Sequence, residues 1–323
     1  MLLPDRMIGA MASTSKRIKV SVLVVAYNHE RYIRQALESV MSQQTDFQFE
    51  VIVSEDASTD RTRHIIHSIA ERWPDRIHVI ESERNLRSNE AVARGLRAAQ
   101  GKYVSLLDGD DYWISNSKLQ TQASFLDENP HCTAIFHNAL VARGGTIGPQ
   151  RWTPSNQRDF SGLDDIWRGN PFATCAGMLR LAPIKDVPEW YTAFFPLTDW
   201  PLYILCAEKG KIAFQDENVG VYRMHDGGLF SSLPDSEKRR LISSFYRQMN
   251  KVLNFKYDHI VRDACSQYFY DWSVEFSSRG EISQAWECLW RCLMSNGVGG
   301  SVSYRQLLRL AKHLLAPRRL SST

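Results

Sequence analysis

The chain has 323 residues, of which 43% are hydrophobic and 23% are charged, proportions typical of folded soluble domains rather than of disordered chains. Its formal net charge of +3 comes without a block of like charge, which argues against a nucleic-acid-binding surface. No apolar run approaches the roughly 20 residues that cross a bilayer, which argues against an integral membrane protein.

The six cysteines are scattered, with no Cys-x-x-Cys pair and no secretory segment before them. This pattern is typical of a protein in the reducing cytoplasm. Cys288 and Cys292 would share a helix face, and we interpret them as small apolar core residues rather than as ligands. Residues 1–17 are expected to form a disordered lead.

From Lys19 onward, β-branched runs alternate with amphipathic helical stretches, a pattern that predicts a parallel sheet with crossover helices. Strands are predicted at residues 20–26, 50–54, 77–80 and 103–107, and helices at 31–43 and 90–99. Ser58 is predicted to cap a further helix before Trp73, and Gly101 to end the helix at 90–99.

Polar residues follow three of these predicted strands, at 27–28, 55–56 and 108–111. Ligands of open α/β sheets bind outside the carboxyl ends of the strands. We therefore expect these three segments to converge on one crevice.

After Pro130 the pattern is mixed, with a predicted strand at 133–136 and a polar, glycine-rich loop at 143–156. From Asp235 onward it is helical, with Gly280 separating helices at 263–276 and 282–294. We therefore divide the chain into an α/β domain at 18–232, a helical region at 233–317 and a tail at 318–323.

Residues 304–319 form a predicted amphipathic helix with leucines on its apolar side. The basic residues of this helix are Arg305, Arg309, Lys312, Arg318 and Arg319. Such a helix can dock on an anionic membrane surface and give peripheral attachment, or it can pack on its own domain. The sequence leaves both interpretations open.

Residues 106–113 read Leu-Leu-Asp-Gly-Asp-Asp-Tyr-Trp, so that a buried strand delivers three carboxylates within four residues. Such crowding is costly unless a cation lies among the carboxylates. Oxygen ligands of this kind suit Mg²⁺ or Mn²⁺, which substrate phosphates can help to coordinate. An acidic surface turn is the alternative, and it fits poorly between a hydrophobic strand and two aromatic residues.

Further segments surround this motif in a fixed order: VSVLVVAYNHE at 20–30, SEDASTD at 54–60, GKYVSLLDGDDYW at 101–113, KLQ at 118–120, TDWP at 198–201 and VYRMH at 221–225. Together they resemble glycosyltransferase family 2, the inverting enzymes of the GT-A fold, over roughly residues 18–230. The resemblance implies an α/β fold, a GT-A (Rossmann-like) nucleotide-sugar-binding domain with a mainly helical C-terminal appendage.

The implied activity moves a sugar from a nucleotide diphosphate donor, which we expect to be a UDP-sugar, to a hydroxyl of a glycan or lipid-linked acceptor. Bacterial surface polysaccharide or glycoconjugate synthesis is the expected setting. The resemblance assigns the base and ribose to Ala26, Tyr27 and Glu30, and the uracil ring to Asp56.

The resemblance also assigns the sugar-diphosphate side of the site. Asp108 is implied to bind the ribose, and Asp110 is implied to bind the Mg²⁺ or Mn²⁺ that bridges the diphosphate. Asp111 is a candidate for contacting the residues that hold the metal, rather than the metal itself. His225 matches a late metal ligand, although a lone histidine is more often structural. Asp199 matches the general base, the alternative being a simple acidic residue at a helix N-terminus.

The chain departs from the family pattern beside the nucleoside site. Glu55 and Ala57 stand where Asp and a glycine or another small residue are frequent, and the segment 85–87 lacks a frequent glycine. Arg84 or Arg87 could reach a phosphate, and a solvated surface arginine is the alternative for each.

Two other functions compete with this interpretation. A dinucleotide-dependent oxidoreductase needs Gly-x-Gly-x-x-Gly after the first strand, where this chain has Ala-Tyr-Asn-His-Glu at 26–30. A non-catalytic nucleotide-sugar or glycan-binding protein could retain the same fold. The presence of Asp108, Asp110, Asp199 and His225 argues against that second alternative.

Overall fold

A computed structural model describes residues 17–230, 232–296 and 300–315. Within these ranges one sheet contains ten strands: β1 (Val20–Ala26), β2 (Phe49–Glu55), β3 (Ile77–Glu81), β4 (Tyr103–Asp108), β5 (Tyr112–Trp113), β6 (Cys132–Arg143), β7 (Thr146–Arg151), β8 (Phe160–Ser161), β9 (Gly177–Arg180) and β10 (Lys211–Met224). The strand order is β3-β2-β1-β4-β9-β6-β10-β5, with β7 beside β6 and β8 beside β10.

The helices are α1 (Ile33–Met41), α2 (Thr62–Ala70), α3 (Glu90–Ala98), α4 (Lys118–Glu128), α5 (Leu163–Arg168), α6 (Trp200–Ala207), α7 (Asp235–Val252), α8 (Asp258–Arg279), α9 (Ile282–Ser295) and α10 (Tyr304–Leu315). Among the described helices, none combines the length and the apolar character that a membrane span requires.

Strands β1 to β4 form the predicted parallel half of the sheet. Strand β1 is buried on both faces, as parallel strands between helical layers are. Leu23 packs with α3, whereas Val22 and Val24 lie in the cluster that contains α1. Ala26 pairs with Glu55, and Val25 pairs with Asp108. The predicted alignment of the three strand ends is thus confirmed.

The predicted cap at Ser58 is wrong. Helix α2 begins at Thr62, whose backbone N–H donates to Asp60 Oδ1 at 2.9 Å. Ser58 Oγ instead accepts a hydrogen bond from the backbone N–H of Asn28 at 3.0 Å. The hydroxyl is used to join the loops after β1 and β2, so that it does not serve the helix.

The predicted helix-ending role of Gly101 is also wrong. Helix α3 ends at Ala98, and the chain turns away through an extended Ala99. Gly101 lies instead where two backbones meet, because a Cβ atom there would stand 2.6 Å from the backbone nitrogen of Ser21. Close approach, rather than a left-handed conformation, requires this glycine.

The second half of the sheet is more regular than the sequence indicated. The strand predicted at 133–136 runs from Cys132 to Arg143, and the predicted loop at 143–156 contains β7, which pairs antiparallel with β6. Gly144 and Gly145 both have positive φ and form the turn between these strands. The glycine-rich pattern therefore marks a hairpin.

Helix α7 packs into the same core as α5 and α6, through Phe245 and Tyr246. The end of α8, α9 and α10 form a separate cluster in which Cys288 and Cys292 are buried, as predicted. Gly280 ends α8 in the left-handed conformation, also as predicted. The predicted lead, apart from residue 17, and Arg318 and Arg319 of the basic segment lie outside the described residues.

Candidate active site

The loops after β1 and β2 form one side of the candidate site. Asn28 and Ala57 leave the strands through positive φ angles, 56° and 59°. The Asn28 side chain fastens the two loops together, because its Oδ1 accepts from the backbone N–H of Thr59 at 2.8 Å. This conformation costs an alanine about 1–2 kcal/mol, which is a physical reason to expect glycine among the small residues that suit the position of Ala57.

The predicted nucleoside residues lie on this side. Ala26 is buried and its carbonyl accepts from the backbone N–H of Asp56 at 2.9 Å, while Tyr27 is half-buried beside it. Glu30 is exposed, and its Oε2 accepts from the backbone N–H of Arg61 at 3.1 Å. Glu30 thus also holds the loop that precedes α2.

Asp56 is buried at the base of the same crevice. Its Oδ1 accepts from Ser82 Oγ at 3.0 Å and from the backbone N–H of Leu86 at 3.1 Å. These bonds fix the carboxylate against the loop after β3. Arg84 and Arg87 in that loop are exposed.

The acidic turn between β4 and β5 forms the floor of the site. Gly109 is needed there because a Cβ atom would stand 2.8 Å from His29 Nδ1. Asp111 is 1% exposed, and its Oδ1 accepts from the backbone N–H of Arg223 at 2.7 Å. Burial and the charges of Asp110 and Asp108 raise the pKa of Asp111.

Asp110 faces two imidazoles. Its Oδ2 lies 2.9 Å from His225 Nε2 and 3.7 Å from His29 Nε2. Burial raises the pKa of Asp110, but the hydrogen bond with His225 and the charge of His29 outweigh it, so that this pKa is lowered. The hydrogen bond to Asp110 in turn raises the pKa of His225, whereas burial lowers that of His29.

Asp199 lies at the N-terminus of α6. Its Oδ1 accepts from the backbone N–H of Trp200 at 2.7 Å, and its Oδ2 accepts from Asn170 Nδ2 at 2.8 Å and from Thr174 Oγ1 at 3.3 Å. Burial raises the pKa of Asp199 in spite of these bonds. Burial and the charges of Asp110 and Asp199 raise the pKa of Asp108 to about 8, so both sides of the site act on this carboxyl.

A sequence profile described as "Glycosyl transferase family 2" matches residues 21–185, which is just over half of the chain. The chain belongs to glycosyl transferase family 2. An uncharacterized protein of Mycobacterium tuberculosis is 35% identical over 219 residues, which cover 66% of this chain and 61% of that protein. The match therefore spans less than two thirds of that relative's length.

Solved structures of two proteins have a similar fold. TarS of S. aureus, residues 1–349 in complex with UDP-GlcNAc, has a TM-score of 0.62 at 21% identity and covers 92% of this chain and 88% of that one. A mannosyltransferase from Pyrobaculum calidifontis in complex with GDP-Man and Mn²⁺ has a TM-score of 0.52 at 18% identity, covering 92% and 80%. The predicted fold class, a GT-A domain with a helical C-terminal region, is confirmed.

The residues of this family 2 chain suit a divalent cation held jointly with a substrate. Asp110 and His225 offer two ligand atoms 2.9 Å apart, close to the roughly 3 Å between neighbouring corners of an octahedron with bonds of about 2.1 Å. Among the described residues, no group of three or more His, Cys, Asp or Glu side chains could hold a metal alone. Diphosphate and water oxygens would have to complete the octahedron.

Several residues of the family 2 site were missed by the sequence analysis. Asn170 and Thr174 precede Asp199 by 29 and 25 positions and orient it, yet no spacing marks them. The Arg223 guanidinium is held 4.3 Å from the Tyr112 ring centre and donates to the carbonyl of Asp110. The positively charged side chain beside the acidic turn is therefore that of Arg223. It lies in the segment VYRMH, where the sequence analysis singled out only His225.

Proposed function

We propose that this chain is a metal-dependent, inverting glycosyltransferase that uses a UDP-sugar and acts on a glycan or lipid-linked acceptor. The observation that carries the proposal is the Asp110–His225 pair beside Asp108, with the buried carboxylate of Asp199 on the other side. The two halves of the site offer the two groups that the reaction needs, a diphosphate clamp and a base.

In the proposed donor complex, Ala26, Tyr27 and Glu30 contact the base and ribose, and Asp108 contacts the ribose hydroxyls. Asp56 accepts a hydrogen bond from the N3–H of uracil. This assignment is supported by the free acceptor capacity of Asp56 Oδ2, whose one hydrogen bond within the described residues is a 3.2 Å contact from the backbone N–H of Leu86. The TarS complex with UDP-GlcNAc supports the choice of uridine.

Asp110 and His225 are the proposed ligands of Mg²⁺ or Mn²⁺, and the Mn²⁺ complex of the Pyrobaculum enzyme supports this cofactor. When bound, the cation neutralises charge that develops on the departing diphosphate. Asp111 holds the backbone of Arg223 and so fixes the end of β10 that leads to His225. The Arg223 guanidinium adds positive charge beside the same turn.

Asp199 is the proposed general base, which takes the proton of the acceptor hydroxyl as the oxygen attacks the anomeric carbon. Three hydrogen bonds occupy part of its roughly four acceptor positions and fix its orientation. A single displacement of this kind inverts the anomeric configuration.

The proposed setting, surface polysaccharide or glycoconjugate synthesis, rests on the family resemblance, and the proposed cytoplasmic location rests on the scattered cysteines. Helix α10 supports peripheral membrane attachment. Its Leu307, Leu310 and Leu314 pack on the protein, whereas Tyr304, Leu308 and Leu315 are 59%, 62% and 72% exposed. Deleting residues after Gly300 should weaken cosedimentation with anionic liposomes while donor hydrolysis continues; unchanged cosedimentation would show that the helix only packs.

The proposed donor site is tested by thermal shift and calorimetry over a panel of nucleotide sugars, each with Mn²⁺ and with a chelator. We expect a UDP-sugar to bind in Mn²⁺ and to lose most of its affinity in chelator and in Asp110→Ala. Equal affinity under the three conditions would contradict the metal assignment. Binding without any donor hydrolysis would favour a non-catalytic nucleotide-sugar-binding protein.

A further inference from the structure

A second cavity lies away from the candidate active site, between α7, α8 and α9, with a volume of about 330 Å³. This volume is at the lower end of the range for small-molecule sites. Its lining residues are Ser243, Tyr246, Arg247, Asn250, Val261, Arg262, Cys265, Phe269, Trp290, Arg291, Met294 and Ser295.

Among the described residues that line the cavity, three are arginines and none is acidic. The side chains of Arg247 and Arg262 form no ion pair or hydrogen bond with any residue in the part of the chain that the structure describes. Arg291 pairs with Glu287 at 2.8 Å, an exposed pair one helical turn away that costs little to open. Three arginines in the wall of one cavity therefore favour a carboxylate or phosphate as ligand.

The remaining lining residues favour a sugar that carries this anion. Trp290 is 64% exposed beside the arginines, and an indole face in this position can stack on the apolar face of a sugar ring. Asn250 is 8% exposed, and its Oδ1 has no hydrogen-bond partner. An unpaired acceptor calls for a donor, and a sugar hydroxyl can supply one.

The cavity adjoins the element that carries the proposed base. Tyr246 lines the cavity, and its ring centre lies 5.8 Å from that of Trp200. Trp200 is the first residue of α6 and directly follows Asp199. The Tyr246 hydroxyl also donates to the carbonyl of Trp167 at 3.1 Å. One layer of aromatic side chains thus connects the cavity to the acceptor side of the site.

We infer that this cavity binds an anionic sugar unit, carrying a carboxylate or a phosphate ester, of the acceptor glycan at a distance from the reacting hydroxyl. The inference rests on the proposed function, because it treats the glycan as the acceptor. Arg247, Arg262 and Arg291 hold the anion, and Trp290 stacks on the ring. The enzyme thereby selects an acidic acceptor without using the donor site.

The test titrates the full chain with trigalacturonate, maltotriose and inorganic phosphate, by calorimetry at low salt. Variants are Arg247→Gln/Arg262→Gln and Trp290→Ala, and the matched control is Arg72→Gln/Arg97→Gln, which removes two exposed arginines elsewhere. Each sample is also titrated with UDP and Mn²⁺. That second titration reports the donor site separately, so that a failed proposed function and a failed acceptor cavity give different patterns.

We expect trigalacturonate to bind the wild type and the control, and at least tenfold more weakly to each cavity variant, with UDP affinity unchanged throughout. Maltotriose should not bind. Equal trigalacturonate affinity in the wild type and the arginine variant would overturn the inference, as would the absence of binding to the wild type. Phosphate binding as tight as that of the acidic sugar would reduce the site to an anion site and overturn it too. Because Trp290 is exposed, its variant tests the cavity even if the arginine variant does not fold.

Discussion

Replacing Asp199 by asparagine separates the proposed base from the fold around it. Asparagine can keep the hydrogen bond from the Trp200 N–H, but its Nδ2 then faces Asn170 Nδ2, which now lies 2.8 Å from Asp199 Oδ2. Two donors would meet, and the Thr174 hydroxyl can turn to accept instead. One unsatisfied buried donor costs about 1–3 kcal/mol of stability, which a urea unfolding curve should show.

The catalytic effect should be larger and distinct. A positioned base contributes about 10²- to 10⁴-fold, equivalent to roughly 3–5 kcal/mol of barrier. Asp199→Asn should lower kcat for UDP release by that factor and leave metal-dependent UDP affinity near the wild-type value. Asn170→Ala is the matched control, since it removes a hydrogen bond and keeps the carboxylate, and it should cost only about tenfold.

The assay follows UDP release from the donor that the panel identifies, at saturating donor, together with a calorimetric UDP titration of each variant. Asp199→Asn that turns over within tenfold of the wild type, while still folded, would refute the base assignment. Glu217 and Asp226 would then be the next carboxylates to replace.

Three further predictions concern the metal site and the fold. His225→Ala should weaken UDP binding in Mn²⁺ by at least about tenfold, and unchanged calorimetric affinity would exclude it as a ligand. Gly101→Ala should cost about 2 kcal/mol or more in urea unfolding, because its Cβ would stand 2.6 Å from the Ser21 nitrogen; Gly169→Ala, with nothing within 4 Å, is the control that should differ little from the wild type. Burial lowers the pKa of Lys118 to about 7 from 10.5, so the unfolded chain holds a proton that the folded chain releases, and stability rises with pH between these values. The free energy of unfolding of the wild type relative to Lys118→Met should therefore increase from pH 7 to pH 9 by up to about 1.4 kcal/mol per pH unit; a constant difference would contradict the shifted pKa.

The parallel half of the sheet could be predicted because its signals are local. The strand β1 is apolar except for Ser21. The polar residues at the ends of β1, β2 and β4 mark the carboxyl edge at which ligands bind. The order of the motifs then indicated the family. None of these steps required knowledge of long-range contacts.

The wrong and missing sequence predictions concern residues whose roles depend on long-range contacts. Contacts with neighbouring segments decide the roles of Ser58 and Gly101. Ser58 bonds to the loop after β1, and Gly101 lies against the backbone of β1 itself. Asn170 and Thr174 acquire their role only when the irregular segment before β9 packs on α6. Single-sequence patterns carry no information on such contacts.

The central claim is tested most directly by turnover. The full chain is incubated with a panel of UDP-, GDP- and dTDP-sugars in Mn²⁺ or in chelator, and release of the nucleoside diphosphate is quantified by mass spectrometry. We predict release from a UDP-sugar in Mn²⁺, with loss in chelator and in Asp199→Asn. Release that continues undiminished in chelator, or no release from any nucleotide sugar that binds, would contradict the account.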